Sequence, residues 1–239
     1  AYEIPKRDWS SDVCSSDLYA GVSCEMDRIM SIARKHDIHV VEDAAQGIFS
    51  SYKGRPLGSI GQFGALSFHE TKNVICGEGG ALLVNEKSFI QRAEIIREKG
   101  TNRSRFFRGE TDKYTWVDIG SSYLPGELVS AFLYAQLLAG ERITAERMKL
   151  WLRYHEAFEP LEFKGLVRRP MVPDTSVHNA HMYYLLLEGP EERDRFIAFM
   201  SMRGIHCVFH YVPLHSSEYG SRHGRIATPM NIKIGRAHV

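Results

Sequence analysis

Residues Asp27 to Asp43 limit what this chain can fold into more than any other stretch. DRIMSIARKH (27–36) sets Ile29, Met30, Ile32 and Ala33 on one helical stripe. Ile38 to Val41 follows at once as a short β-branched run that closes on Glu42-Asp43. A helix feeding a strand that delivers carboxylates at its C-terminal end is the unit of an open α/β sheet, and such sheets place ligands beyond those ends. The alternation continues. SYKGRPLGS (51–59) is turn chemistry, and Phe63–Phe68 and Ala81–Val84 read as strands on either side of the polar stretch HETKNVICGEGG. Lys87–Lys99 reads as a charged helix stopped by Gly100. Pro125-Gly126 opens a long helical stretch to about Leu161, interrupted near Gly140 and suited to carry the chain from one domain into the next. Beyond Pro170, strands at Met182–Leu187 and Cys207–Val212 with a helix at Glu191–Met202 between them predict a small α+β unit.

With 44% hydrophobic residues in 239, the chain can build one core domain and a smaller second one. Thirty Lys and Arg face 29 Asp and Glu, so no global field favours a nucleic acid or another polyanion. No apolar run approaches the roughly 18 residues of a membrane span, and the four scattered cysteines fit reduced, cytoplasmic thiols. Both ends read as foreign. DWSSDVCSSDL (8–18) resembles a translated sequencing-library adapter, and IGRAHV (234–239) is what its reverse complement encodes. The expected organisation is therefore a non-native segment at 1–18, the C-terminal part of a large domain at 19–140, a linking helix and partial small domain at 141–233, and a second non-native segment at 234–239. On this reading the natural residues come from a longer parent protein.

The polar stretch and the preceding strand end hold a set of groups with one shared use. A pyridoxal phosphate (PLP) site needs a lysine amine for the aldehyde, a carboxylate for the ring nitrogen, a donor for the phenolic oxygen and several donors for the phosphate. Asp43 ends a strand in EDAAQ with Gln46 three residues on, Ser67 lies five residues before Lys72 in SFHETK, and Gly77, Gly79 and Gly80 follow. A carboxylate at Asp43 keeps a pyridine nitrogen protonated, and Gln46 can donate to a phenolate oxygen. Ser67 offers a hydroxyl to phosphate. Lys72 can lose its proton when desolvated, as an arginine cannot, so it can attach to the aldehyde and later move a proton. Singly, each residue has a plainer reading: a carboxylate capping a turn, a solvated lysine, a tight glycine turn, and Asn73 as a turn former.

In their joint order, EDAAQ, then GxxGxFGALSFHETKN, then GEGGALLVN, these segments resemble the DegT/StrS family of sugar aminotransferases across residues 19–215. The resemblance implies a PLP-dependent transferase of fold type I, aspartate-aminotransferase-like, with a mostly parallel sheet, a smaller C-terminal α/β domain and a cytoplasmic homodimer. It implies that Lys72 holds PLP as an imine, Asp43 pairs with the ring nitrogen, Ala45 packs on the ring, Gln46 reaches the phenolic oxygen and Ser67 contacts phosphate. Where the family often has an asparagine that reaches the neighbouring subunit's phosphate, this chain has Ser122, and the usual arginine is Leu124. Glutamate is the implied amino donor and a dTDP-4-keto-6-deoxyhexose the acceptor, with poor PLP binding expected of the chain as written.

Other chemistries fit less well. A PLP-dependent sugar dehydratase of this family carries histidine where Lys72 stands. His206, His210 and His215 would suit a metal only on a helix, whereas Cys207-Val208-Phe209 reads as strand. His69 fits either the lining of the site or a structural role. A non-catalytic binding or regulatory protein of the same fold would not need the Asp43–Lys72 pair.

Overall fold

The computed structural model describes residues 13–209 and 217–223. They divide into two compact units, one of the described residues up to 148 together with 172–181, the other of 149–171 together with the described residues from 182 on. The division falls inside a long helix, later than the helix break near 140 where the sequence suggested a boundary, and residues 172–181 return to the first unit.

The first unit is organised around a four-stranded sheet of β1 (Val13–Asp17), β2 (His39–Asp43), β5 (Phe63–Ser67) and β6 (Gly80–Val84), in the order β1-β2-β5-β6. β1, β2 and β5 run parallel, and β6 returns antiparallel to β5. Residues 13–17, set aside on sequence grounds, thus occupy an edge position, Val13 opposite His39 through Asp17 opposite Asp43. Parallel pairing is a backbone interaction and asks little of side-chain identity at an edge.

Helix α1 (Met26–Lys35) precedes β2 and packs Met26, Ile29, Met30 and Ala33 into a core with Leu18, Val40, Ala44, Tyr52, Leu57 and Ile60. Ile32, expected on that stripe, is 53% exposed. At about 100° per residue the four inward positions span an arc of about 100°, and Ile32 falls about 60° outside it. Each fully buried side chain of this size contributes roughly 1.5–3 kcal/mol. The turn-rich segment 51–59 forms a small hairpin, β3 (Ser51–Tyr52) with β4 (Arg55–Pro56), extended by β7 (Ser176–Val177) on the other side of β3.

Helices α2 (Ile90–Arg97), α3 (Arg103–Phe107) and α4 (Glu127–Leu138) follow, and α5 (Gly140–Phe163) runs from the first unit into the second. The second unit packs Val167, Leu185 and Leu187 against Phe158, Leu161, Tyr183 and Phe196, the last from α6 (Pro190–Ser201). A short helix, α7 (Glu218–His223), lies further along. One expected strand is absent, and a second is described only at its start. Met182–Leu187 contributes one bridge, Arg168 opposite Leu186, with two backbone hydrogen bonds of 2.9 Å, and forms no longer ladder. The segment is a continuous apolar run, and its Tyr183, Leu185 and Leu187 pack against Phe158, Leu161 and Phe196 of the helices, so burial is met without a neighbouring strand. Cys207–Phe209 is irregular, and the remainder of that expected strand lies outside the described residues. Among the described residues no helix is long and apolar enough to cross a membrane.

Candidate active site

β2 and β5 are adjacent and parallel, with Asp43 opposite Ala65, so their C-terminal ends open on the same edge of the sheet. From that edge β2 delivers Asp43 into the turn 44–48, and β5 delivers Ser67 into the loop that carries Lys72. The sheet thereby sends EDAAQ and SFHETK out side by side.

Glu42 makes the first of these ends rigid. Its side chain is fully buried and accepts backbone N–H bonds from Gly58 at 2.8 Å, Ile60 at 2.5 Å and Gly61 at 2.7 Å. A buried carboxylate is tolerated because three donors replace its water shell. Read from the sequence as half of an acidic strand end, Glu42 is a structural anchor, whereas Asp43 beside it is exposed. Asp43 Oδ1 accepts from the Ala45 N–H at 3.1 Å, which fixes the carboxylate in a local turn. Ala45 is half-buried. Gln46 uses its Oε1 to accept from the Ala20 N–H at 2.6 Å, which leaves Nε2 as the donating end of its amide.

The lysine loop is closed on itself. Phe68 N–H donates to Gly79 O at 2.8 Å, Cys76 N–H to Phe68 O at 2.7 Å, Glu70 N–H to Gly77 O at 2.9 Å, and Lys72 N–H to His69 O at 2.9 Å. Beneath it Phe68, Val74 and Cys76 form a buried apolar cluster with Ile48, Leu66, Ala81, Val129 and Leu133. Burial also pushes the Cys76 thiol pKa up, aided by Glu78. Ser67 Oγ accepts from the His69 N–H at 3.3 Å. His69 spends Nδ1 on Thr71, 2.9 Å from its Oγ1, and sits 3.5 Å from Glu78 through Nε2.

Asn179, at 0% exposure, joins the two loops. Its Nδ2 donates to Gln46 O and Ile48 O, both at 2.8 Å, and its own backbone carbonyl accepts from Asn73 Nδ2 at 2.8 Å. Asn73 Oδ1 meets His181 Nδ1 at 2.9 Å, and the His181 N–H donates to Asn179 Oδ1 at 3.0 Å. Sequence reading missed this bridge. It left Asn73 as a turn former and gave Asn179 and His181 no role. An asparagine directly after the lysine and an Asn-Ala-His run were the available signals, but their pairing across 106 residues is a tertiary fact. Gly21 makes room for the bridge: it has φ of +75°, and a Cβ there would stand 2.1 Å from Asn179 Oδ1.

Burial, followed by the nearby charges of Lys72 and Arg147, pushes the His181 pKa down to about 4. Arg147 donates to Ala180 O at 3.1 Å and to His181 O at 2.5 Å. The Ala180 residue they hold has φ of +51°, a left-handed conformation that costs an alanine roughly 1–2 kcal/mol.

Ser122 stands in a different neighbourhood. It is exposed and bridges to Glu98 at the end of α2, with Ser121 N–H donating to Ile96 O and Tyr123 N–H to Arg97 O. Nearby, a groove of about 940 Å³ is lined by Leu82, Ile90, Ala93, Arg97, Tyr123 and Leu124 and includes neither Asp43 nor Lys72. Its wall is mostly apolar, with Arg92, Glu94 and Arg97 among the polar groups on it. His206 is exposed, His210 and His215 lie outside the described residues, and among the described residues no three His, Cys, Asp or Glu side chains cluster as a metal site.

The geometry has counterparts among known proteins. An uncharacterised protein of Methanocaldococcus jannaschii is 32% identical over 203 residues, covering 82% of this chain and 52% of its own length. A solved aminotransferase from Psychrobacter cryohalolentis superposes with a TM-score of 0.82 at 26% identity, over 95% of this chain and 62% of that one. Spr1654 of Streptococcus pneumoniae, a proposed sugar aminotransferase solved in its PLP form, gives 0.76 at 24% identity, over 90% and 59%. This chain spans about half the length of the curated relatives it matches. A family model matches residues 16–231, nearly the whole chain, and with that match the chain belongs to the DegT/DnrJ/EryC1/StrS aminotransferase family.

Proposed function

We propose that this chain is the catalytic part of a PLP-dependent sugar-nucleotide aminotransferase of fold type I, with Lys72 as the residue that holds the cofactor. The observation that carries this reading is the shared sheet edge: Asp43 and Lys72 leave adjacent parallel strands, and their loops are tied through Asn179. Membership of an aminotransferase family, and a structural neighbour solved in its PLP form, support the cofactor.

The residues present fit that group. Asp43, oriented by the Ala45 N–H, would stabilise the ring nitrogen as a cation. Gln46 is tethered through Oε1, so its Nε2 is aimed rather than free to rotate, and suits the phenolic oxygen. Ala45 would pack on the ring, Ser67 would donate to phosphate, and Ser122 would reach the phosphate held by a second copy. When bound, PLP supplies an electron sink that makes the proton on the amine-bearing carbon labile. Lys72, as a free amine, would be the base that holds and moves that proton.

Within this activity we read glutamate as amino donor and a dTDP-4-keto-6-deoxyhexose as acceptor. EIIREKGTNRS (94–104), KYTWVDIGSSYL (113–124), NAHMYY (179–184) and FHYVPLH (209–215) resemble dTDP-4-amino-4,6-dideoxygalactose transaminase, which makes the aminosugar of enterobacterial common antigen. The last of these lies almost wholly outside the described residues. A cytoplasmic homodimer completes the reading, supported by the exposed apolar residues of α4. The test is a two-stage assay on the parent protein: glutamate alone should yield 2-oxoglutarate stoichiometric with enzyme, and the dTDP-ketosugar should then be aminated. Turnover with other nucleotide-linked ketosugars but not this one would reject the substrate, and no 2-oxoglutarate in the first stage would reject the activity.

A further inference from the structure

The bridge between the two loops does more than close a gap in the core. Asn73 presents both ends of one amide, and its Nδ2 is committed to a backbone carbonyl, which can only accept. Its Oδ1 is therefore the atom that faces His181 Nδ1, and that nitrogen must carry the proton. The histidine is in this way fixed as a single tautomer, neutral, with the lone pair on Nε2. A charge on the ring would add a third cation to a buried site that already feels Lys72 and Arg147. These two are the charged groups that act on it, Lys72 from the lysine loop and Arg147 from α5. Arg147 also holds the left-handed Ala180 between Asn179 and His181, so that Asn179 O and His181 Nδ1 reach the same amide.

We propose that Asn73, Asn179 and His181 are positioning residues for Lys72: they fix the lysine loop against the Asp43–Gln46 turn, so that the amine meets the cofactor at the distance set by the carboxylate. Asn73 follows Lys72 directly in the chain, and displacing its amide displaces the lysine's own backbone. Asn179 fixes the opposite side by holding Gln46 O and Ile48 O. His181 acts through Asn73 and touches no reacting atom. The inference rests on the reading of Lys72 as the residue that holds PLP.

A thermodynamic cycle on the parent protein separates positioning from general support of the fold. PLP affinity is measured by absorbance titration for the parent, His181→Gln, Lys72→Ala and the double variant, with circular dichroism confirming the fold. If His181 acts by aiming Lys72, His181→Gln weakens PLP binding on the order of tenfold when Lys72 is present and less than twofold when it is absent. Equal losses in both backgrounds would overturn the proposal, since they would mark a merely structural contact. Should His181→Gln not fold, Asn73→Ala enters the same cycle with the same two outcomes. If Lys72→Ala itself leaves PLP affinity and borohydride labelling unchanged, the lysine assignment fails, and the positioning role fails with it for that separate reason.

Discussion

Two neighbouring carboxylates at one strand end have opposite fates, and sequence alone does not sort them. Glu42 and Asp43 are equally acidic in the chain, but alternation along β2 turns Glu42 into the core, where three backbone donors await it. Because a glutamine can offer only one accepting oxygen and no charge, Glu42→Gln should cost about 2–3 kcal/mol, read as a lower midpoint in urea unfolding without a changed slope. His181 gives the residue scale its pH dependence. Its folded pKa of about 4 lies below the ordinary 6.5, so between these values the unfolded chain takes up a proton that the folded chain refuses. The stability this neutrality secures is complete above about pH 6.5 and falls as pH drops toward 4, by up to roughly 3 kcal/mol. Urea unfolding at pH 7 and at pH 4.5 should show that loss in the parent protein and a smaller one in His181→Gln. The strand end that carries Asp43 and Gln46, and the strand that leads through Ser67 toward Lys72, were legible from residue type and order. Asn179 and His181 were not, because a buried hydrogen bond across more than a hundred residues leaves no periodic trace.

The elements of the first unit follow the hydrophobic periods closely: α1, β2, β5 and β6 lie within a residue or two of their expected bounds. Failure came where pattern and partner part company. Met182–Leu187 is a short unbroken apolar run, which a buried strand and a helix-packed segment share, and here its buried side chains pack against helices. Gly21 is a further case, since its left-handed φ and the nearby Asn179 Oδ1 appear only in three dimensions. Gly21→Ala combines both penalties and should destabilise the protein by more than 1 kcal/mol in thermal or urea unfolding, with PLP binding weakened in step. Helix α4 is apolar on all sides, and Leu128 at 88%, Phe132 at 51% and Leu138 at 72% stay exposed. An uncovered surface of this kind marks an interaction site. If it is the homodimer face, Leu128→Glu with Phe132→Glu should shift the parent protein from dimer to monomer in sedimentation; an unchanged dimer would locate the interface elsewhere.

At the scale of the whole molecule, the fold's contribution to function is convergence. A parallel pair of strands brings two loops to one edge, a buried glutamate holds the first, a buried apolar cluster underlies the second, and an asparagine ties them together. The α/β class and the order of these parts were readable from the chain because each rests on local pattern. The bridge between them was not, since it arises from segment 172–181 folding back onto the first unit. The most direct measurement is chemical: load the protein with PLP, reduce with borohydride, digest it and locate the label by mass spectrometry. The account predicts a single modified residue, Lys72, and loss of the label in Lys72→Ala. A label on any other lysine would contradict it.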